Sequence, residues 1–340
     1  MTTMYRAVEV TGVRRFELVE KELREPNPNE VRIKVLSCGV CHTDSIAGEG
    51  LRPDPSVAIV PGHELVGIVD AVGPGVSTWA PGDRVGVGYL GGHCGVCEQC
   101  RRGRFVTCLD QPATGTDVDG GYAEYAYARA SGVARVPDEL PALAASPLLC
   151  AGLTTYKAVL QADARPGALV AVQGIGGLGH LGVQYANKLG YRVAAIARGT
   201  GKAALAKDLG ADHYIDSAAD DPAAELQKLG GAAAIVATAS SGASMSPLVD
   251  GLAPGGRLIV VGAAFDPISV NTLSLVFGTT SIMGSLTGSS IENEDNLALA
   301  LAHDIRPMNE IMTLDQAPEA YERMMSGDAR FRVVLKIADE

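Results

Sequence analysis

The first part of the chain alternates apolar and polar positions in short runs. VRIKVL at 31–36, LVGIVDAV at 65–72, RVGVGYL at 84–90 and YAEYAYA at 122–128 have the length and texture of strands. Gly73, Pro74, Gly75, Pro81 and Gly82 punctuate them as turns. After about residue 152 the pattern changes. ALVAVQ (168–173) is a continuous apolar run, followed by a glycine-rich turn and the helical pattern LGHLGVQYANKLG. Strands follow at RVAAIA (192–197), HYID (213–216), AAAIVATA (232–239) and RLIVVGA (257–263), with a helix from about Lys202 to Leu209 and further helices between the later strands. Strands alternating with helices predict an α/β fold with a parallel, doubly wound sheet. A helix near 315–326 and the strand RVVLKI (332–337) read as a return to the first domain.

Composition bounds what this can be. A chain of 340 residues is long enough for two domains, and 47% hydrophobic with 20% charged residues fits a globular enzyme rather than a disordered chain. A net charge of −11 disfavours a nucleic-acid partner, because phosphate binders present a basic face. The start MTTMYRAVEV lacks a basic region before an apolar run, so no signal peptide is expected, and no unbroken apolar stretch suggests a membrane partner. Seven cysteines without export signals point to a reducing compartment, with the cytoplasm as the expected location.

Gly174, Gly176 and Gly179 form G-x-G-x-x-G between a strand and a helix, the context in which a pyrophosphate is received at a helix N-terminus. The next strand ordinarily ends in an acid that binds the ribose hydroxyls of NAD. Here Ala197 takes that place, Arg198 follows it, and Lys202 is close behind. The missing acid and the added cations suit the 2′-phosphate of NADP(H), with NAD(H) as the alternative.

Two cysteine groups carry metal chemistry. Cys94, Cys97, Cys100 and Cys108 crowd one loop, and four thiolates at such spacing satisfy a structural, closed Zn²⁺ site. An iron–sulfur cluster is the rival, but its runs favour a closer fourth cysteine followed by Pro, whereas Leu109 stands here. Cys41, His63 and Cys150, with Glu64 beside His63, would give a Cys₂His zinc site with one open position. Spacing alone leaves that scattered trio open, since a buried Cys or His is more often part of a core.

GHELVGIVDAVGPGV, from Gly62 to Val76, resembles the signature of zinc-dependent alcohol dehydrogenases of the medium-chain dehydrogenase/reductase superfamily. GVCHTD at 39–44, GDRVGV at 82–87, the four-cysteine loop, CAGLTTYKA at 150–158 and GIGGLG at 174–179 follow in the family's order. The resemblance covers essentially the whole chain. It implies a GroES-like β-rich catalytic domain (1–151 with 287–340) holding both zinc sites, and a Rossmann domain (152–286). It implies that Cys41, His63 and Cys150 bind catalytic zinc, with Glu64 able to approach it, Asp44 fixing the His63 tautomer and Thr43 contacting the substrate oxygen. His42 and Thr154 match positions near the cofactor, as do Gly177, Leu178, Val261 and Gly262. Ile46, Tyr89 and Leu286 match the substrate pocket, and Cys38 reads as a small core residue. Many relatives carry a His where Ile46 stands, so the family's usual proton relay is missing one member.

The activity implied is reversible hydride transfer between NADP(H) and a primary alcohol or aldehyde. The alternatives are an NAD-dependent secondary-alcohol or polyol dehydrogenase, a catalytically idle nucleotide-binding structural protein, and, weakest, a zinc-knuckle nucleic-acid binder. The idle members generally lack the zinc ligands. The family assembles as dimers or tetramers. SIMGSL at 281–286 is an edge that invites such pairing, and without the longer insertion after the structural zinc loop of the dimeric enzymes a homotetramer is expected, a homodimer being the alternative.

Overall fold

The computed structural model describes residues 3–340. The chain divides into two compact units, residues up to Leu153 together with Thr287–Glu340, and Thr154–Leu286.

The first unit opens with a hairpin of β1 (Met4–Gly12) and β2 (Arg15–Glu22), turned at Arg14 with φ of 52°. Its alternation is masked by charged residues on the exposed side of β2, so the sequence pattern misses it. The main sheet takes β3 (Glu30–Val40), β4 (Leu65–Val72), β5 (Arg84–Val87), β6 (Tyr125–Arg129) and β7 (Val133–Arg135), all antiparallel where they pair. The apolar run at 84–90 is thus only half strand. Gly88 ends it, and Leu90 makes an isolated bridge to Ala113. Similarly, the strand expected at 122–128 begins at Tyr125, because Tyr122 turns into the core.

β3 organises this unit. Its first half alternates buried positions with half-buried or exposed ones, and then every residue from Val35 to Val40 is buried, because the strand there is covered on both faces. Val31, Ile33, Val35, Val40, Leu65, Val69, Val85 and Val87 form the shared core.

In the second unit a parallel sheet holds β8 (Leu169–Gln173), β9 (Arg192–Ala197), β10 (His213–Asp216), β11 (Ala232–Ala237), β12 (Leu252–Val260) and β13 (Ser281–Gly284). The spatial order β10-β9-β8-β11-β12-β13 is the Rossmann order. β8 is buried along its whole length, as a central parallel strand covered on both faces must be. The strand order reverses between β8 and β11, which places a ligand crevice at their carboxyl ends. In the C-terminal part of the first unit β14 (Asn309–Thr313) pairs parallel with β15 (Arg332–Lys336), which returns antiparallel to β3.

The residues from Ala142 to Leu160 form one helical run, a helix at Ala142–Pro147, a π-helical turn at Leu148–Gly152 and a helix at Leu153–Leu160. By length and hydropathy alone this run would span a bilayer, but 72% of its apolar window is buried within the protein. Its apolar character is that of a core helix.

The run is tied to β3 by a buried pair of hydroxyls, Ser37 Oγ and Ser146 Oγ, 2.7 Å apart. Replacing one leaves the other buried without a partner, which costs about 1–3 kcal/mol. Ser146→Ala is therefore expected to lower unfolding free energy by about that amount, and the double variant Ser37→Ala/Ser146→Ala to recover most of it. Denaturant unfolding of the four proteins of this cycle checks the expectation; equal, additive losses would contradict it.

Candidate active site

Cys41 ends the buried tract after β3, and a short 3₁₀ turn, His42–Asp44, follows it. This turn aims Asp44 inward while His42 is exposed and Thr43 half-buried. Asp44 is itself 2% exposed. Its Oδ2 accepts the Cys41 backbone N–H at 2.9 Å and the Tyr122 hydroxyl at 2.9 Å, and its Oδ1 lies 3.0 Å from His63 Nδ1. One carboxylate therefore orients both a thiol-bearing residue and an imidazole.

The ligand-capable atoms of Cys41, His63, Glu64 and Cys150 all lie within 4.8 Å of one another, and all four residues are buried. Cys150 sits inside the π turn, ahead of the helix Leu153–Leu160. His63 Nε2 and Glu64 Oε2 are buried with no hydrogen-bond partner among the described residues. The other Glu64 oxygen accepts from Arg332 Nη2 at 2.5 Å, so the buried carboxylate is paired on one side only.

The protonation chemistry suits a cation. A hydrogen bond from Cys150 holds the Cys41 thiol well below its ordinary pKa, and that same bond with burial pushes Cys150 up. Burial opposes the charging of His63, but the nearby Asp44 and Cys41 outweigh it and raise its pKa well above the usual imidazole value. Burial lifts Glu64 to about 7 against the pull of Arg332. A divalent cation would displace the protons that Cys150 and His63 hold here, and two thiolates with one imidazole form a zinc donor set.

The second cluster is of another kind. The Sγ atoms of Cys94, Cys97, Cys100 and Cys108 also lie within 4.8 Å of one another. Cys94–Cys108 is 3.6 Å, Cys97–Cys108 is 3.9 Å and Cys94–Cys100 is 4.0 Å. These are close to the edge of about 3.8 Å of a tetrahedron with Zn–S of about 2.3 Å. Backbone N–H groups of Cys94, Cys97 and Asp110 donate to the sulfurs, and Cys97 is lowered to about 6, first by the N–H of Leu109 and next by that of Cys100. Cys38 belongs to neither cluster. It is buried and packs in the core near Gly62 and Gly121.

In the Rossmann unit Gly174 has φ of 87°, and its carbonyl comes so close to Gly179 that a Cβ there would lie 1.6 Å from it. A Cβ at Gly176 would meet nothing within 4 Å, so that face of the turn is open. Gly174, Gly176, Gly177 and Leu178 line a cavity of about 1110 Å³ that also takes in Ala197, Arg198 and Lys202. Ala197 ends β9 and is buried, while Arg198 is exposed at the cavity. Lys202 Nζ donates to Ile175 O at 2.7 Å, which sets the ammonium against the glycine turn. Val261 and Gly262, after β12, both donate to Ala237 O at 3.0 Å.

Tyr89 packs edge-on to His63, with ring centroids 5.3 Å apart, and Ile46 is half-buried in the turn after Asp44. Leu286 is 54% exposed at the end of the second unit, which also holds the buried Thr154.

Sequence reasoning missed Tyr122, Arg332, Tyr214 and Asp216. Asp216 Oδ1 accepts the Gly199 N–H at 2.6 Å and Tyr214 donates to Gly199 O at 2.5 Å, bracing the loop that carries Arg198. Arg332 left one trace, a charged residue at the start of a strand whose next three positions are apolar.

Comparison with known proteins fits this geometry. Residues 27–138 match the model of the alcohol dehydrogenase GroES-like domain, and residues 177–303 match that of the zinc-binding dehydrogenases. An alcohol dehydrogenase of Penicillium expansum is 43% identical over 318 residues, covering 94% of this chain and 93% of its own. A cinnamyl alcohol dehydrogenase from Sorghum bicolor superposes with a TM-score of 0.87 at 32% identity, over 98% of each chain. CAD from Helicobacter pylori, solved in complex with NADP(H), superposes at 0.85 with 25% identity, over 99% of each chain. The fold and site are those of a zinc-type oxidoreductase that works with a nicotinamide dinucleotide. The chain belongs to the zinc-type alcohol dehydrogenases of the medium-chain dehydrogenase/reductase superfamily.

The glycine turn gives a direct test of the dinucleotide site. Gly179→Ala is expected to abolish measurable nucleotide binding, because the new methyl must displace the Gly174 carbonyl. Calorimetric titration with NADPH and NADH checks it, and unchanged affinity would place the nucleotide elsewhere.

Proposed function

We propose that this alcohol dehydrogenase prefers NADP(H) to NAD(H) and interconverts primary alcohols and aldehydes. In this reading Cys41, His63 and Cys150 hold a catalytic zinc, and Cys94, Cys97, Cys100 and Cys108 hold a second, structural zinc. The observation that carries the cofactor preference is the end of β9, where Ala197 is buried and Arg198 stands exposed at the nucleotide cavity. An acid there would repel a 2′-phosphate; a guanidinium attracts it. The Helicobacter pylori neighbour, complexed with NADP(H), supports the same choice.

When bound, zinc supplies a Lewis acid that polarises the substrate oxygen, and the nicotinamide accepts or donates the hydride. The chain's own residues prepare that chemistry. Asp44 engages Nδ1 of His63, leaving Nε2 as the metal-binding nitrogen. Thr43, half-buried next to Asp44, holds the substrate hydroxyl and takes its proton towards solvent, since Ile46 has no group that titrates. Tyr89 and Ile46 present apolar walls suited to an unbranched carbon next to the reacting oxygen. The Sorghum relative named for cinnamyl alcohol, a primary alcohol, supports that substrate class.

The cofactor reading predicts tighter binding of NADPH than of NADH in a fluorescence titration. Arg198→Ala is expected to weaken NADPH by about tenfold or more and leave NADH unmoved, as loss of a charge-assisted hydrogen bond implies. Equal affinities in the unaltered protein would overturn it. Turnover with matched primary and secondary alcohols tests the substrate class, the secondary being the slower.

The same reading takes the protein as a homotetramer built on pairing of β13, an edge strand in its sheet. Beside it in sequence, the helix Thr272–Gly278 exposes Leu273, Val276 and Phe277 at 60%, 68% and 82%, an i, i+3, i+4 stripe. Phe277→Glu is expected to shift the mass in light scattering from tetramer to smaller species, and an unshifted tetramer would remove this face from the interface.

A further inference from the structure

We infer that Asn293 and Asn296 are positioning residues for the metal centre, holding the π turn that carries Cys150. The inference rests on the reading of Cys150 as a zinc ligand.

Both asparagines lie on one helix, Ser290–Ala302, and are buried, Asn296 completely. Buried carboxamide N–H groups cost stability unless they donate. Asn296 Nδ2 donates to Leu148 O at 2.9 Å, and Asn293 Nδ2 to Leu149 O at 3.1 Å. Those carbonyls belong to the two residues directly before Cys150. Leu148 O also accepts the N–H of Leu153, five residues on, which is the spacing of a π turn. Such a turn holds an extra residue relative to an α-helix, and each residue of an α-helix rotates by about 100°. Reversion to α-helical geometry would swing the Cys150 side chain away from Cys41 and His63.

The surroundings are shaped for this contact. A Cβ at Gly88 would lie 2.8 Å from Leu149 O and 3.1 Å from Asn293 Nδ2. Only a glycine there leaves room for the carboxamide and the carbonyl to meet. The start of the asparagine helix is fixed by a capping box, with Glu292 accepting from the Ser289 N–H at 2.7 Å. Leu149 packs its side chain where a Cβ on Gly86 would stand, 2.7 Å from Cδ1. The π turn is thus held by donors on one side and by shape on the other.

The test is zinc release from the intact, zinc-loaded protein into a chromogenic chelator. The unaltered protein is expected to release two equivalents in separable phases, and Cys150→Ala to lack one of them, which assigns that phase. Asn296→Leu, similar in volume but unable to donate, is expected to speed the assigned phase by about tenfold or more and leave the four-cysteine phase unmoved. Asn296→Ser, which keeps a shorter donor, serves if the leucine variant does not fold, with a smaller acceleration expected. The visible bands of the cobalt-substituted protein should shift for the same centre alone. An unchanged assigned phase, or both phases speeding together with a fall in melting temperature, overturns the inference. Two equivalents retained by Cys150→Ala would overturn the ligand reading instead, and this inference with it.

Discussion

The carboxylate of Asp44 is the constraint on which the buried cluster of Cys41, His63, Glu64 and Cys150 depends. Nearly inaccessible to water, it gathers a backbone N–H, a phenol and an imidazole from three parts of the chain. A buried charge is tolerated only when its oxygens are fully engaged, so these partners are held by the cost of losing them. Cys41, His63 and Tyr122 therefore occupy fixed places before any ligand arrives. Glu64 repeats the device more loosely, paired with Arg332 on one oxygen and unengaged on the other. The two neighbouring carboxylates thus differ in their partners, an imidazole, a phenol and a backbone N–H for Asp44 and a guanidinium for Glu64.

The two thiol clusters solve different problems with the same atom. The four-cysteine loop draws its sulfurs from positions 94 to 108, most of them partly accessible, and backbone N–H groups support them. The other centre takes two sulfurs, one imidazole and an adjacent carboxylate from positions 41 to 150 and buries all of them. Four thiolates close a coordination sphere, whereas three ligands leave a place for chemistry. Donor count and burial agree here, and both underlie the proposed division between a loop-holding site and a reactive one.

Much of this was legible in the chain. The central parallel strands read as continuous apolar runs because β8, β9 and β11 lie covered on both faces, and β4, β9 and β10 fall on the segments their patterns mark. The cysteine loop and the glycine turn were equally plain, since both are local motifs with fixed spacing. What stayed hidden was non-local or masked. The opening hairpin carries its charges on an exposed face, which blurs the period. Tyr122 and Arg332 take their meaning from residues far away in sequence, Asp44 and Glu64, and no window on either segment shows the partner. The π turn at Cys150 was illegible for another reason. Its residues, Leu148–Gly152, suit an α-helix equally well, and what lies opposite them decides between the two.

The contrast in sequence separation sets an order of assembly on the growing polypeptide. Four sulfurs within one short loop can capture a metal ion as soon as that loop emerges, before the sheet around it exists. The buried centre has no such early form. Its ligands meet only after the strand before Cys41, the segment at His63 and the helical run at Cys150 have docked. Closing loops of that length is the slow part of forming non-local contacts. On the two-zinc reading proposed above, a shortage of zinc during synthesis would therefore leave the four-cysteine loop filled ahead of the buried centre.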